Sequence, residues 1–311
     1  MGENQQCCTP QRSSKKISKI SQGSQRGNSH EEMVTLKGGN FLMGTDYRFG
    51  RTQDGEIPSV TAHVSPFAID RFAVTNSQYA LFVEETGYIT EAEQIGWSFV
   101  FAGLLPDDFE DTRGVQGSPW WRQVFRANWK LPEGPQSSID KRMDHPTVHV
   151  SWNDAASYAN WVGGRLPTEA EWEFAAKGGL ENPLFPWGNE LEPEGHHLMN
   201  VWQGSFPDNN LEEDGWYGTA PVGSYPPNRY GLGEMTGNVW EWCSDWFSID
   251  QKRGGSDSQG PATGEGKVIK GGSYLCHASY CNRYRIAARS LTTTDSSMGH
   301  LGFRTVRDIE S

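Results

Sequence analysis

Apolar residues along this chain fall in short runs, interrupted every few positions by Gly, Pro, Asn or Asp. That pattern predicts short strands joined by long loops, with helices only where the punctuation of a helix is present. Three segments carry such punctuation. "TNSQYALFVEETG" opens at Thr75 with Gln78 three residues on, "SWNDAASYANWVGG" opens at Ser151 with Asp154, and "PTEAEWEFAAKGG" opens at Thr168 with Glu171. In each, the hydroxyl can accept from an orphan amide of the first turn, and Gln78 or Glu171 can return a bond. Each ends at a glycine suited to the left-handed position past a helix: Gly87, Gly163 and Gly178. Order is expected to begin near "EEMVTLKGGNFLMGTD", read as a strand, a bend and a second strand. Residues 97–147 and 180–235 read as long irregular segments, which inside a domain usually answer to function or to a stabilising ion. One echo, "LKGGNFLMG" at 36–44 and "IKGGSYLCH" at 269–277, suggests that N- and C-terminal strands share a turn type and lie side by side.

Composition sharpens this picture. With 36 glycines and 13 tryptophans in 311 residues, the chain should be rich in turns, with aromatic side chains supplying much of the core. A net charge of −12 without a basic stripe argues against nucleic-acid and anionic-membrane partners. No apolar run approaches the length of a membrane span. Residues 1–32 are polar, with no apolar segment of a signal peptide and no myristoylation motif, and are read as a disordered tail preceding a single domain over 33–311. Cys7 and Cys8 lie in that tail and are assigned no structural role; Cys243, Cys276 and Cys281 remain for the folded part. So few cysteines, and an odd number of them in the folded part, point to a reducing, cytoplasmic compartment.

Two of the three stand close together in "KGGSYLCHASYCNRYRIAARS". Five residues along a strand put Cys276 and Cys281 on opposite faces, and along a helix about 140° apart. For the sulfurs to converge, the backbone between them must bend. Three readings stand: a short-loop disulfide, two unrelated buried thiols, or a thiolate pair made for a metal or for chemistry. His277, Arg283 and Arg285 are near in sequence, and positive charge beside a thiol lowers its pKa. Cys243, in "EWCSDW", reads as a small buried thiol. His145 and His149 have a metal-like spacing, but Pro146 and the alternation in "HVSW" suggest a strand on which the rings diverge, so this pair is read as structural.

The residues from "GGNFLMGTD" through "FAIDRFAVTNSQYALFV", "DHPTVHVSWNDAASYANWVGGRLPTEAEWEFAAKGG", "FPWGNE", "NVWQGSFP", "EDGWYGTAPVGSYPPNRYGLGEMTGNVWEWCSDW" and "GGSYLCHASYCNRYRIAARS" to "LGFR" resemble the formylglycine-generating enzyme family, the sulfatase-modifying factors. The resemblance implies an α+β fold with little regular secondary structure around a C-type-lectin-like core. It implies O2-dependent oxidation of a cysteine in a CxPxR-type motif of a sulfatase to Cα-formylglycine, with an external thiol or other reductant. It implies Cu(I) held by Cys276 and Cys281, with Ser273 as a polar active-site residue and Trp240 walling the metal. Soft thiolates select Cu(I), whereas structural zinc wants four ligands, so the donor set agrees. Two calcium sites are implied as well: Asn200 and Asp214 with the carbonyls of Val201 and Trp216, and Glu234 and Glu241 with the carbonyls of Gly237 and Val239. Oxygen donors on bent backbone are what Ca2+ takes.

The chain departs from the family pattern at Trp97, in "GWSFVF", where some members place an Asp that pairs with the substrate arginine; Glu93 or a nearby acid is the expected substitute. Ile286 and Thr305 stand where secreted relatives carry disulfide cysteines. The resulting expectation is a monomeric, copper-dependent oxidase acting on an extended sulfatase segment. The rivals are a non-catalytic lectin-like binding module, which has no need of the cysteine pair, and a thiol–disulfide protein, whose usual two-residue spacing is missing.

Overall fold

The computed structural model describes residues 9–12, 33–249 and 260–309. Its strands, in chain order, are β1 (Met33–Leu36), β2 (Gly39–Met43), β3 (Val60–Val64), β4 (Phe67–Asp70), β5 (Trp97–Phe101), β6 (Arg113–Val115), β7 (Ser118–Phe125), β8 (Gly204–Ser205), β9 (Asn209–Asn210), β10 (Trp240–Trp246), β11 (Lys267–Lys270), β12 (Arg289–Thr292), β13 (Leu301–Gly302) and β14 (Val306–Asp308). The helices are α1 (Asn76–Thr86), α2 (Glu91–Ile95), α3 (Trp152–Trp161) and α4 (Glu169–Lys177). These short elements between long loops are the mixed α+β architecture of low regular content that the apolar pattern predicts.

Three helices open at the predicted caps. Thr75, Ser151 and Thr168 each accept from the amide three residues on, and Gln78, Asp154 and Glu171 return the bond. Helix α2 was not predicted. It is too short for an apolar period, yet it carries the same reciprocal box between Thr90 and Glu93 and closes on Gly96. Gly87, Gly163 and Gly178 all take positive φ.

Strand β4 sits between β1 and β14, so that Ile69 faces Val34 on one side and Val306 on the other. The larger sheet runs β12-β11-β10-β13, with β13 parallel to β10. The two echoing segments share left-handed Gly-Gly pairs, Gly38-Gly39 and Gly271-Gly272. They do not lie side by side: β1 and β11 belong to different sheets. Similar glycine pairs make similar turns, but pairing is set by the apolar faces that flank them.

Trp121, Trp172, Trp202, Trp240 and Trp242 are fully buried, so aromatic rings do carry much of the interior. Ion pairs thread it. Arg304 makes a two-pronged pair with Glu241, Arg289 one with Glu169, and Lys270 lies 3.0 Å from Glu173. Such pairs add little net stability, but removing one partner leaves a buried charge and costs about 3–5 kcal/mol.

Two further expectations are corrected. "HVSW" is not a strand: His149 has φ 61°, and Ser151 caps α3. The two histidines do part company, His145 to Thr219 Oγ1 at 2.9 Å and His149 to Ser98 Oγ at 2.8 Å. Residues 9–12, placed with the disordered tail, pack against 291–297, with Thr9 and Arg12 buried. Cys7 and Cys8 lie outside the described residues.

Candidate active site

Strand β11 delivers the chain to Gly271 and Gly272, both left-handed. A side chain at Gly272 would stand 2.9 Å from the Arg283 carbonyl, so the strand can turn here only against a bare backbone. Ser273 follows. Its Oγ lies 2.8 Å from His300 Nδ1, and its carbonyl accepts from Cys276 N at 2.9 Å. Between the cysteines the backbone bends as required: the His277 carbonyl accepts from the amides of Tyr280, Cys281 and Asn282. Both thiols are buried, Cys276 at 2 % exposure and Cys281 at 0 %, and neither is in a disulfide. That removes the short-loop disulfide in this state.

The loop is fastened from outside. Arg283 Nη2 lies 2.8 Å from Asp54 Oδ2, Arg285 pairs two-pronged with Glu56, and Arg51 Nη2 donates to the Cys281 carbonyl at 3.0 Å. Arg283 and Arg285 are therefore matched by their own carboxylates and act as anchors, correcting their expected role as cations that activate a thiol. His277 turns instead to Ser279, 2.7 Å away. Around the loop stand rings: Tyr280 stacks on Phe206 at 4.2 Å and meets Trp120 edge-on, and Trp202 N donates to the Cys276 carbonyl at 3.1 Å.

Trp240 is fully buried; its amide donates to the His300 carbonyl at 2.8 Å, and its indole N–H has no partner among the described residues. The structure thus brings Ser273, Trp240 and the cysteine loop together around His300. The sequence reading missed His300. A lone histidine between glycine and apolar residues in "MGHLGF" was the available signal. Cys243 is elsewhere, in a second apolar cluster with Ile286 and Val306, where burial pushes its thiol pKa well up. Thr305 donates to Asp70 Oδ2.

Among the described residues no three His, Cys, Asp or Glu side chains converge on one point. A metal here must rely on the two thiols, or on amide and backbone oxygens beside a carboxylate. The thiol pair fits Cu(I): soft donors, buried, in an apolar surround. The first calcium set fits a hard cation. Asn200 Oδ1 is buried without a partner among the described residues, and Asp214 accepts from Val201 N at 2.8 Å and Trp216 N at 3.1 Å. Gln203 Nε2 donates to both the Val201 carbonyl and Asp214 Oδ2, so two of the implied oxygens already converge on one donor. Burial raises the pKa of Asp214, a cost that a cation offsets. The second set does not fit as it stands. Both oxygens of Glu241 are held by Arg304, with Trp172 Nε1 at 2.7 Å, and Glu234 accepts from the amides of Gly223 and Tyr225. A guanidinium already supplies the positive charge there.

Glu93, the expected partner for a substrate arginine, is occupied in the box that opens α2. Trp97 instead presents its ring, edge-on to Phe99 at 4.9 Å, beside the hydroxyls of Ser98 and Ser297, which lie 2.7 Å apart.

A family model described as "Sulfatase-modifying factor enzyme 1-like domain" matches residues 19–309. The formylglycine-generating enzyme of Thermomonospora curvata is 55% identical over 282 residues, covering 89% of this chain and 93% of that one. The formylglycine-generating enzyme of Mus musculus is 52% identical over 280 residues, covering 89% and 75%. Among solved structures, PvdO from Pseudomonas aeruginosa superposes with a TM-score of 0.63 at 27% identity, covering 89% of this chain and 94% of that one. A cysteine pair on an anchored loop, the fold around it and these matches together make the chain a member of the sulfatase-modifying factor, or formylglycine-generating enzyme, family.

Proposed function

We propose that this protein converts a cysteine in a CxPxR-type motif of a sulfatase to Cα-formylglycine, using O2 and an external thiol. The observation that carries the reading is the pair of buried thiols, Cys276 and Cys281, on a loop fastened by main-chain bonds and by the ion pairs of Arg283 and Arg285. A binding module needs no such pair, and a thiol–disulfide protein usually spaces its cysteines by two residues, against four here. Cys276 and Cys281 are the residues to hold copper, and bound Cu(I) supplies the one-electron redox chemistry that O2 requires. The rest falls to the chain itself. Tyr280, Phe206, Trp120 and Trp240 keep water from the thiols. Ser273 and His300 share a hydrogen bond at 2.8 Å and can hold a proton beside the loop.

The balance is simple. The thiol-bearing methylene of the substrate cysteine becomes an aldehyde, and its sulfur leaves as hydrogen sulfide. O2 takes four electrons, two from the cysteine and two from a pair of thiols that end as a disulfide. One of its oxygen atoms enters the aldehyde, and the other leaves as water. We further propose calcium at the Asn200–Asp214 site, a reducing cytoplasmic setting and action as a monomer. The test is mass spectrometry of a CxPxR peptide after incubation with the protein, copper, a thiol and air. The mass change of thiol to aldehyde on its cysteine is expected, and an unchanged peptide refutes the reading.

A further inference from the structure

The tail stretch "CCTPQR" contains Cys8-Thr9-Pro10-Gln11-Arg12, which spells C-x-P-x-R in this chain itself. We infer that Cys8–Arg12 is a built-in substrate: Thr9–Arg12 occupies, within the same chain, the seat that receives a substrate motif, and Cys8 is the cysteine oxidised. The inference rests on the function proposed above. Its own support is the way Thr9–Arg12 is held. Pro10 and Arg12, the fixed positions of the motif, are buried, and the variable Gln11 faces outward.

An arginine is rarely buried unless its donors are met. Arg12 is 6 % exposed. Its Nη1 donates to the Asp295 carbonyl at 2.8 Å, and its Nη2 to Ser297 Oγ at 2.9 Å and to the Trp97 carbonyl, while its buried Nε has no partner among the described residues. The guanidinium lies 4.5 Å from the centre of the Trp97 ring, a cation–π contact. Its amide donates to Ser296 Oγ at 3.0 Å, and Thr9 Oγ1 to the Leu291 carbonyl at 3.1 Å. Asp295, Asp154 and Glu91 are near enough to favour its charge, which survives at neutral pH although burial pulls the pKa down to about 10. Ring face, carbonyls and hydroxyls thus do here what a single carboxylate does where an Asp replaces Trp97.

The seat is continuous with the candidate active site. The segment that grips Arg12 at Asp295–Ser297 runs on to His300, which holds Ser273. Cys8 precedes Arg12 by four residues and His300 follows Ser296 by four, and each span reaches at most about 14 Å. Oxidation at Cys8 needs O2 and two external thiols, with the balance already given, and leaves an aldehyde in the tail.

The full chain, reduced and then incubated with copper, a small thiol and air, is cleaved after Arg12 and sequenced by mass spectrometry. An exogenous CxPxR peptide in the same tube is the control. Expected is the aldehyde at Cys8 and not at Cys7, lowered at least tenfold in Arg12→Ala and in Arg12→Lys, since an ammonium cannot reproduce the fork. A second measurement needs no turnover: anisotropy of a labelled CxPxR peptide on copper-free protein should show several-fold tighter binding to Arg12→Ala, freed of its own competitor. If the peptide is converted while Cys8 remains a thiol, the inference falls and the proposed function stands. Tighter peptide binding without an aldehyde at Cys8 makes the segment a competitor only and equally overturns its role as substrate. If neither cysteine reacts, the proposed function fails and the inference with it.

Discussion

Cys276 and Cys281 are held by main-chain bonds and by Arg283 and Arg285 and not by each other, which separates their chemistry from the stability of the fold. Cys276→Ser and Cys281→Ser are each expected to lose tight copper binding, because a hard hydroxyl replaces a soft thiolate. Peptide turnover should fall by more than the roughly 10–100-fold that follows loss of outer contacts to a metal, with the melting temperature little changed. Robust turnover by either variant would refute a two-thiolate site. A different residue governs acid stability. Burial holds the His149 pKa down to about 3, against about 6.5 in an unfolded chain. The fold therefore keeps a neutral ring, and the stability that depends on it is lost as pH falls from about 6.5 towards 3. Asp70 and Asp154 work in the opposite sense, since burial raises them to about 6 and about 7 and protonation then favours the fold. The readout is thus a difference: in urea titrations at pH 7, 6 and 5, His149→Gln should gain on the wild type by up to about 1.4 kcal/mol per pH unit. Parallel profiles would exclude this role. At this scale the cysteines and Ser273 were legible because they share one short stretch. His300 and Arg12 were not, because only tertiary folding brings them to that stretch.

Helix α4 shows how an element can be both legible and indispensable. Its start is written locally, as Thr168 and Glu171, and its faces carry Glu169 to Arg289 and Glu173 to Lys270. Thr168→Ala should cost about 1 kcal/mol in urea unfolding through the lost cap, with peptide turnover unchanged and Thr168→Ser restoring most of the loss. An unaltered midpoint would mean that tertiary packing alone holds the first turn. Helix α2 was missed because five residues cannot display a period, though its box and Gly96 were in plain view. "HVSW" misled because alternation over four positions also fits an extended approach to a helix cap, and nothing in the sequence announces a left-handed His149. Strand pairing was least legible where the partners stand far apart in the chain, as Ile69 and Val306 do.

Across the whole molecule, the Asn200 loop and the cysteine loop share one residue. Asn238 takes a bond from Asn200 through its side chain, and its carbonyl accepts from Tyr274 N at 3.0 Å. Calcium at the Asn200–Asp214 site should therefore stiffen both. A ligand bound only by the folded state at 100 times its Kd adds about 2.7 kcal/mol. Chelation should lower the melting temperature, and Asp214→Ala should lose that response; a chelated, metal-free protein that melts unchanged would sink the site. The pairing of β4 with both β1 and β14 has a consequence for how the chain is made. Phe67–Asp70 cannot be flanked on its second side, nor Glu241 neutralised by Arg304, until the ribosome has passed residue 308. A nascent chain arrested before that point holds an open sheet edge and an unmatched buried carboxylate, so closure of this fold must wait for the last strand to leave the exit tunnel.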